Sequence, residues 1–179
     1  MKKMILQRAA FFCGAIALLG ALASPAVSQT NHTDAGRHTV SALMLSDVHF
    51  DPFHDPGKAA QLVDAPVSEW NRIFAEPAST DQASAFAALQ KQCGARGVDT
   101  PDVLLQSSLR AARREAPNAK FVTVSGDLVV HNFPCRFAAL VPGKAQSDFA
   151  AFAVKTVEYV TTELRRTFPR VPVYVALGN

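Results

Sequence analysis

The sequence predicts an α/β chain built on a parallel β-α-β-α-β core, and three observations carry that prediction. Three short runs, residues 39–45, 120–125 and 171–177, are apolar and partly β-branched. Each stops at a polar or glycine-led pair: Ser46-Asp47, Gly126-Asp127 and Gly178-Asn179. Such runs mark strands buried in a sheet. Two stretches with helical spacing separate them, and connections this long suit crossovers between parallel strands rather than hairpins.

Taken in order, residues 1–28 read as an export signal. Lys2, Lys3 and Arg8 precede an apolar run over residues 9–23, followed by small residues from Ser24 to Ser28. The run is about 15 residues, short of the ~20 that span a bilayer. Cleavage fits after Ala23 or after Ser28, and Pro25 would crowd the first. The three basic residues also account for the whole net charge of +3, since without them 15 basic residues face 15 acidic ones. The apparent basicity therefore gives no reason to expect nucleic acid or an anionic membrane as partner. With 49% hydrophobic and 18% charged residues the composition is globular, which excludes a disordered or collagen-like chain.

Residues 29–37 are polar and aperiodic and read as a flexible leader. The first strand follows over 39–45. Residues 50–97 are rich in Pro, Asp and Ala, with helical candidates at 67–75 and 81–92. Neither candidate has enough apolar residues for its own core, so the stretch is a covering insertion. Thr100-Pro101-Asp102 is a helix start, with a capping hydroxyl, Pro in the first turn and an acid at the positive dipole end. Leu105, Leu109 and Ala112 share one face, and Pro117 sets the stop. After the second strand, residues 146–168 form the longest helix. Its inward face is Phe149, Phe152, Ala153, Val157, Val160, Leu164 and Phe168. The third strand completes the core. Outside the signal, Cys93 and Cys135 form an even pair, read as a disulfide in an exported chain or else as two buried thiols.

All three strands end in metal-capable residues, and in an open parallel sheet ligands gather at the carboxyl ends of the strands. Asp47 and His49 are two apart, so in extended chain both side chains point the same way, aiming a carboxylate and an imidazole at one cation. Gly126 and Gly178 permit close backbone approach where Asp127 and Asn179 project. Each dipeptide alone is an ordinary turn. Their recurrence at three successive strand ends is what points to a metal site.

In this order and strand context, Asp-x-His, then Gly-Asp, then Gly-Asn resembles the calcineurin-like metallophosphoesterases over roughly residues 40–179. Asp47-Val48-His49-Phe50-Asp51-Pro52 is similar to the acid sphingomyelinase-like phosphodiesterase branch, as is Asp127 followed four residues later by His131. Asp99-Thr100-Pro101 through Leu105 and Ser108-Leu109 are similar to it too. The resemblance implies that residues 38–179 are the N-terminal part of a metallophosphoesterase α/β sandwich. It implies two divalent metal ions, zinc first, with iron or manganese also suited to mixed nitrogen and oxygen ligands. Asp47 and His49 would bind one ion, Asp127 would bridge, and Asn179 would bind the second. His131 would assist the leaving group.

The implied activity is hydrolysis of a phosphodiester or phosphoanhydride through a metal-bridged hydroxide, in the periplasm or outside the cell. The substrate would be a small molecule, a lipid headgroup or polyphosphate. The residue after Asn179 and the family's later histidines are missing, which implies a fragment that binds metal weakly and turns over little. The competing reading is a non-enzymatic exported α/β binding module whose acids and glycines are turns.

Overall fold

The computed structural model describes residues 39–176 and Gly178. The expected signal and leader, at residues 1–37, lie outside the described residues, as does Asn179. The described chain has the predicted α/β architecture. β1 (Ala42–Ser46), β2 (Phe121–Ser125) and β3 (Val173–Ala176) form a parallel sheet in the order β1-β2-β3. Leu45 pairs with Val124 and Val124 with Val175, so the three strand ends stand side by side.

Six α-helices accompany the sheet among the described residues: α1 (Ala59–Asp64), α2 (Trp70–Ala75), α3 (Gln82–Gln92), α4 (Asp102–Glu115), α5 (Phe133–Leu140) and α6 (Gln146–Thr167). The strand alternation decides how the layers meet. Leu43, Leu45, Val122, Val124, Val173 and Val175 face the helices. Met44 and Tyr174, on the opposite face, are 79% and 62% exposed. On α6, Phe152, Val160 and Leu164 are buried as the spacing predicts, while Phe149, Ala153 and Val157 are partly covered. Tyr159, Thr156 and Glu163 are also buried on this helix. The Tyr159 hydroxyl donates to Asp102 Oδ1 at 2.6 Å, and Asn71 Nδ2 donates to Glu163 Oε1 at 2.8 Å. These bonds satisfy polar groups that would otherwise be costly to bury.

The insertion belongs to the same apolar cluster as the sheet. Phe50, Phe53, Leu62, Trp70 and Ile73 are buried together with Val122, Phe152 and Leu164. Trp70 packs against Phe152 and Tyr159, and its indole N–H donates to the Leu62 carbonyl at 3.1 Å. Trp70 is therefore a packing residue of the helices.

Local details differ from the sequence reading at three places. α1 and α5 are extra helices. Pro stands in the first turn of α5, and Phe133 and Phe137, four apart, are its buried face. The cap of α4 is Pro101, with no side-chain hydrogen bond. Thr100 is instead drawn into backbone pairing: its N–H donates to the His49 carbonyl at 3.0 Å, and Asp51 N–H donates to its carbonyl at 2.8 Å.

Cys93, just past α3, is disulfide-bonded to Cys135 on α5, with a sequence separation of 42. Closing a loop of that size restricts the unfolded chain. Replacing both cysteines by serine is expected to lower the free energy of unfolding by roughly 2–5 kcal/mol, read from urea unfolding. An unchanged midpoint would show that the cross-link does not stabilise the fold.

Candidate metal centre

Backbone pairing continues past the ends of β1 and β2 and assembles the centre. His49 N–H donates to the Asp127 carbonyl at 2.8 Å, and Phe50 N–H to the Leu128 carbonyl at 2.9 Å. Val130 N–H donates back to the Phe50 carbonyl at 3.0 Å. The chain at residues 49–51 is thus held between the segment before α4 and the segment after β2.

Asp47, His49 and Asp127 converge, with ligand-capable atoms all within 4.8 Å of one another. The route differs from the extended chain expected for residues 47–49. All three residues have positive φ, at 52°, 41° and 39° respectively. Among non-glycine residues this left-handed conformation is uncommon, and it concentrates at functional sites. Successive left-handed turns, not strand alternation, bring Asp47 and His49 together.

Hydrogen bonding fixes how the His49 ring is used. Its Nδ1 lies 3.4 Å from the Val129 carbonyl, which can only accept, so Nδ1 carries the proton. Nε2 faces Asp47 Oδ1 and Asp127 Oδ2, each 3.9 Å away. Deprotonated, that nitrogen and the two carboxylates would together offer three donors to a cation. The separations exceed hydrogen-bond length, yet fall inside the ~4.2 Å spanned by two metal–ligand bonds of about 2.0–2.1 Å. One imidazole and two carboxylates suit zinc, iron or manganese. The donors present therefore fit a divalent ion.

The end of β3 closes this centre tightly. A Cβ on Gly178, which has φ 75°, would collide with the backbone N and a carboxylate oxygen of Asp127 and lie 2.8 Å from Gly126 Cα. Only glycine lets the third strand approach the acid so closely. Asn179, the fourth expected ligand, lies outside the described residues.

His131 reaches the same cleft, about 340 Å³ in volume, which His49, Asp127, Asn132 and Pro134 also line. Its ring stacks on His49 with centroids 4.1 Å apart and planes 17° from parallel. Histidine lone pairs lie in the ring plane, so two stacked rings are poorly placed to grip one ion between them. His131 Nδ1 instead donates to Asp99 Oδ1 at 2.7 Å.

Behind that pair lies Arg136, fully buried. Its Nη1 donates to Asp51 Oδ2 at 2.9 Å, its Nη2 to Asp99 Oδ2 at 3.4 Å and its Nε to the His131 carbonyl at 3.1 Å. Asp51 is buried as well, and burial pushes its carboxyl up to about 6 although Arg136 opposes the shift. Asp51 is thus a buried anchor for Arg136.

Asp55 and His54 belong to the insertion. Asp55 Oδ2 accepts from Ser79 N–H at 3.0 Å, and the His54 ring meets Phe86 at 4.7 Å. Burial holds His54 below the usual imidazole range.

Sequence reasoning passed over Arg136 and the role of Asp99. The signal for the first was an arginine set in the apolar run Phe133–Leu140 beside a cysteine. The signal for the second was an acid just before a predicted helix start. A comparison with protein-family models finds none that matches the chain.

Two outcomes follow from this geometry. Gly178→Ala is expected to weaken zinc binding at least about tenfold in competition with a chromophoric chelator. Gly143→Ala bears a similar positive φ but has open space around it, so it should leave affinity unchanged. Equal effects would deny the close approach its importance.

The raised carboxyl of Asp51 also sets a sign. Between about pH 4 and pH 6 the unfolded chain ionises this group while the fold keeps it protonated. Stability relative to Asp51→Asn is fully present below pH 4 and should fall by roughly 3 kcal/mol by pH 6 in chelator. A difference flat across that window in urea titrations would contradict the shift.

Proposed function

We propose that this protein is an exported, divalent-metal-dependent phosphoesterase of the metallophosphoesterase type, acting on a phosphodiester or phosphoanhydride. The single observation that carries the reading is the convergence of His49 Nε2 with the Asp47 and Asp127 carboxylates at the joined ends of parallel strands. Order and spacing of Asp47, His49, Asp127 and His131 support the family and its sphingomyelinase-like branch. The disulfide supports an oxidising compartment. Among the described residues no helix is long and apolar enough to cross a membrane.

Asp47, His49 and Asp127 would hold the metal, with Asn179 expected to join them. When bound, divalent ions neutralise phosphoryl oxygens and lower the pKa of water near neutrality. The chain's own residues supply the rest. The two carboxylates give the negative charge that lets cations stand close together. The Val129 carbonyl keeps the His49 proton on Nδ1 and so keeps Nε2 available. His131, on the lip of the cleft, has a nitrogen left over from its bond to Asp99. From there it can hand a proton to the departing oxygen as the P–O bond breaks.

The test is metal content together with hydrolysis of bis(p-nitrophenyl) phosphate. With zinc in excess the protein should take up about one to two ions per chain. It should release p-nitrophenolate, stop in chelator and recover with added zinc. Asp127→Ala should lose metal and at least about a hundredfold in rate. Hydrolysis indifferent to chelation would discard the reading. A chain that binds no metal and tolerates Asp127→Ala without loss beyond stability would favour a non-enzymatic binding module.

A further inference from the structure

We propose that the amino end of the sheet is a docking surface for an anionic lipid bilayer, which leaves the metal cleft turned toward solution. The inference goes beyond the phosphoesterase reading and does not rest on it. Net charge conceals this surface, because acids and bases balance once the first residues are set aside. The fold sorts them. Between residues 110 and 120 the sole acid is Glu115, against Arg110, Arg113, Arg114 and Lys120. Between 163 and 172 it is Glu163, against Arg165, Arg166 and Arg170.

Packing brings the two segments to one end of the molecule. The Arg113 guanidinium lies over the Phe168 ring, 5.9 Å from its centroid, which sets the end of α4 against the end of α6. Val122 N–H donates to the Pro172 carbonyl at 2.9 Å, and Lys120 and Arg170 each stand two residues ahead of that pair. Cations in the last turn of a helix complement its negative end, which accounts for Arg113, Arg114, Arg165 and Arg166. It does not account for Arg110, which precedes the last turn, or for Lys120 and Arg170, which lie outside any helix. Glu163 is buried and engages Arg166 at 3.0 Å. Arg110, Arg114, Lys120, Arg165 and Arg170 are exposed and make no ion pair among the described residues.

Strand length separates this end from the acids of the metal centre by about 15–20 Å. That exceeds the Debye length of roughly 10 Å, so those acids do not cancel its field. The basic groups come from two helix ends and two strand starts, and none lines the cleft at the metal centre. A reader of nucleic-acid grooves would present one helix or ribbon instead. A bilayer meets such a spread array all at once. Val40, 63% exposed, adds an apolar contact beside Ser41, whose carbonyl accepts from Lys120 N–H at 2.8 Å. The disulfide suits an oxidising compartment, where a lipid surface is the polyanion at hand. In this pose the carboxyl ends of the strands face away from the lipid, so whatever the metal centre binds arrives from solution.

The test is flotation of the full chain with vesicles of phosphatidylcholine, with and without about 30% phosphatidylglycerol. Residues 1–37 are common to every variant and cancel in the comparison. Binding should rise with phosphatidylglycerol and fall away at about 0.5 M salt. Each basic residue near such a surface is worth about fivefold in partition. Lys120→Gln with Arg165→Gln should therefore cost at least about tenfold. Lys91→Gln with Arg96→Gln removes equal charge near the cleft and should change binding less than about twofold. In footprinting with a water-soluble acylating reagent, anionic vesicles should protect Lys120 and leave Lys91 reactive.

Equal losses from the two pairs would overturn the proposal, since net charge alone would then explain binding. So would binding indifferent to phosphatidylglycerol, or a footprint that spares Lys120. Capture of a duplex oligonucleotide with vesicles left unbound would assign this end to a soluble polyanion and overturn it too. If a variant does not fold, the wild-type footprint still decides. A chain that docks on vesicles but hydrolyses no ester overturns only the phosphoesterase reading.

Discussion

The centre depends on a backbone constraint: residues 49–50 are stitched to residues 127–130 by main-chain hydrogen bonds just beyond the sheet. His49 to Asp127 and Phe50 to Leu128 are short contacts, and Phe50 is fully buried between them. Three left-handed residues in this small region cost on the order of 1 kcal/mol each. They persist because the pairing, the buried aromatic and the neighbouring glycines leave the chain no easier path. The two carboxylates and the imidazole are therefore gathered by the scaffold itself. A cation placed among them would offset the repulsion between the two carboxylates.

A second constraint lies one layer deeper. Arg136 and Asp51 are both buried, and an ion pair so placed adds little net stability because desolvation offsets the attraction. Its value lies in orientation. The guanidinium has donors in a fixed plane, and three different segments supply its acceptors: the chain after His49, the chain before α4 and the loop after β2. Loss of one acceptor would leave charge uncompensated in the core, so these segments keep their relative placement. The disulfide adds a covalent limit at the same corner.

Much of this was legible in the residues. The three strands, the long α6 and the gathering of Asp47, His49 and Asp127 followed from periodicity and from where each strand stopped. The pairing of Cys93 with Cys135 was read from an even count, with free thiols left open. What escaped had physical reasons. α5 is only eight residues long, and its loop start conceals a helix behind Pro134. Thr100 has the chemistry of a cap, yet backbone pairing with residues 49–51 claimed it first. Arg136 was passed over, because only tertiary structure reveals that Asp51 and Asp99 surround it. The extended geometry assumed for residues 47–49 failed for a similar reason: the left-handed turns follow from contacts eighty residues away.

The most direct test of the account is a crystal structure of the zinc-soaked protein with anomalous data at the zinc edge. The account predicts a peak within about 2.0–2.3 Å of a carboxylate oxygen of Asp47, Nε2 of His49 and a carboxylate oxygen of Asp127. His131 should remain bonded to Asp99 and off the ion. A peak placed elsewhere, or a cluster of these three side chains with no zinc at saturating concentration, would contradict it.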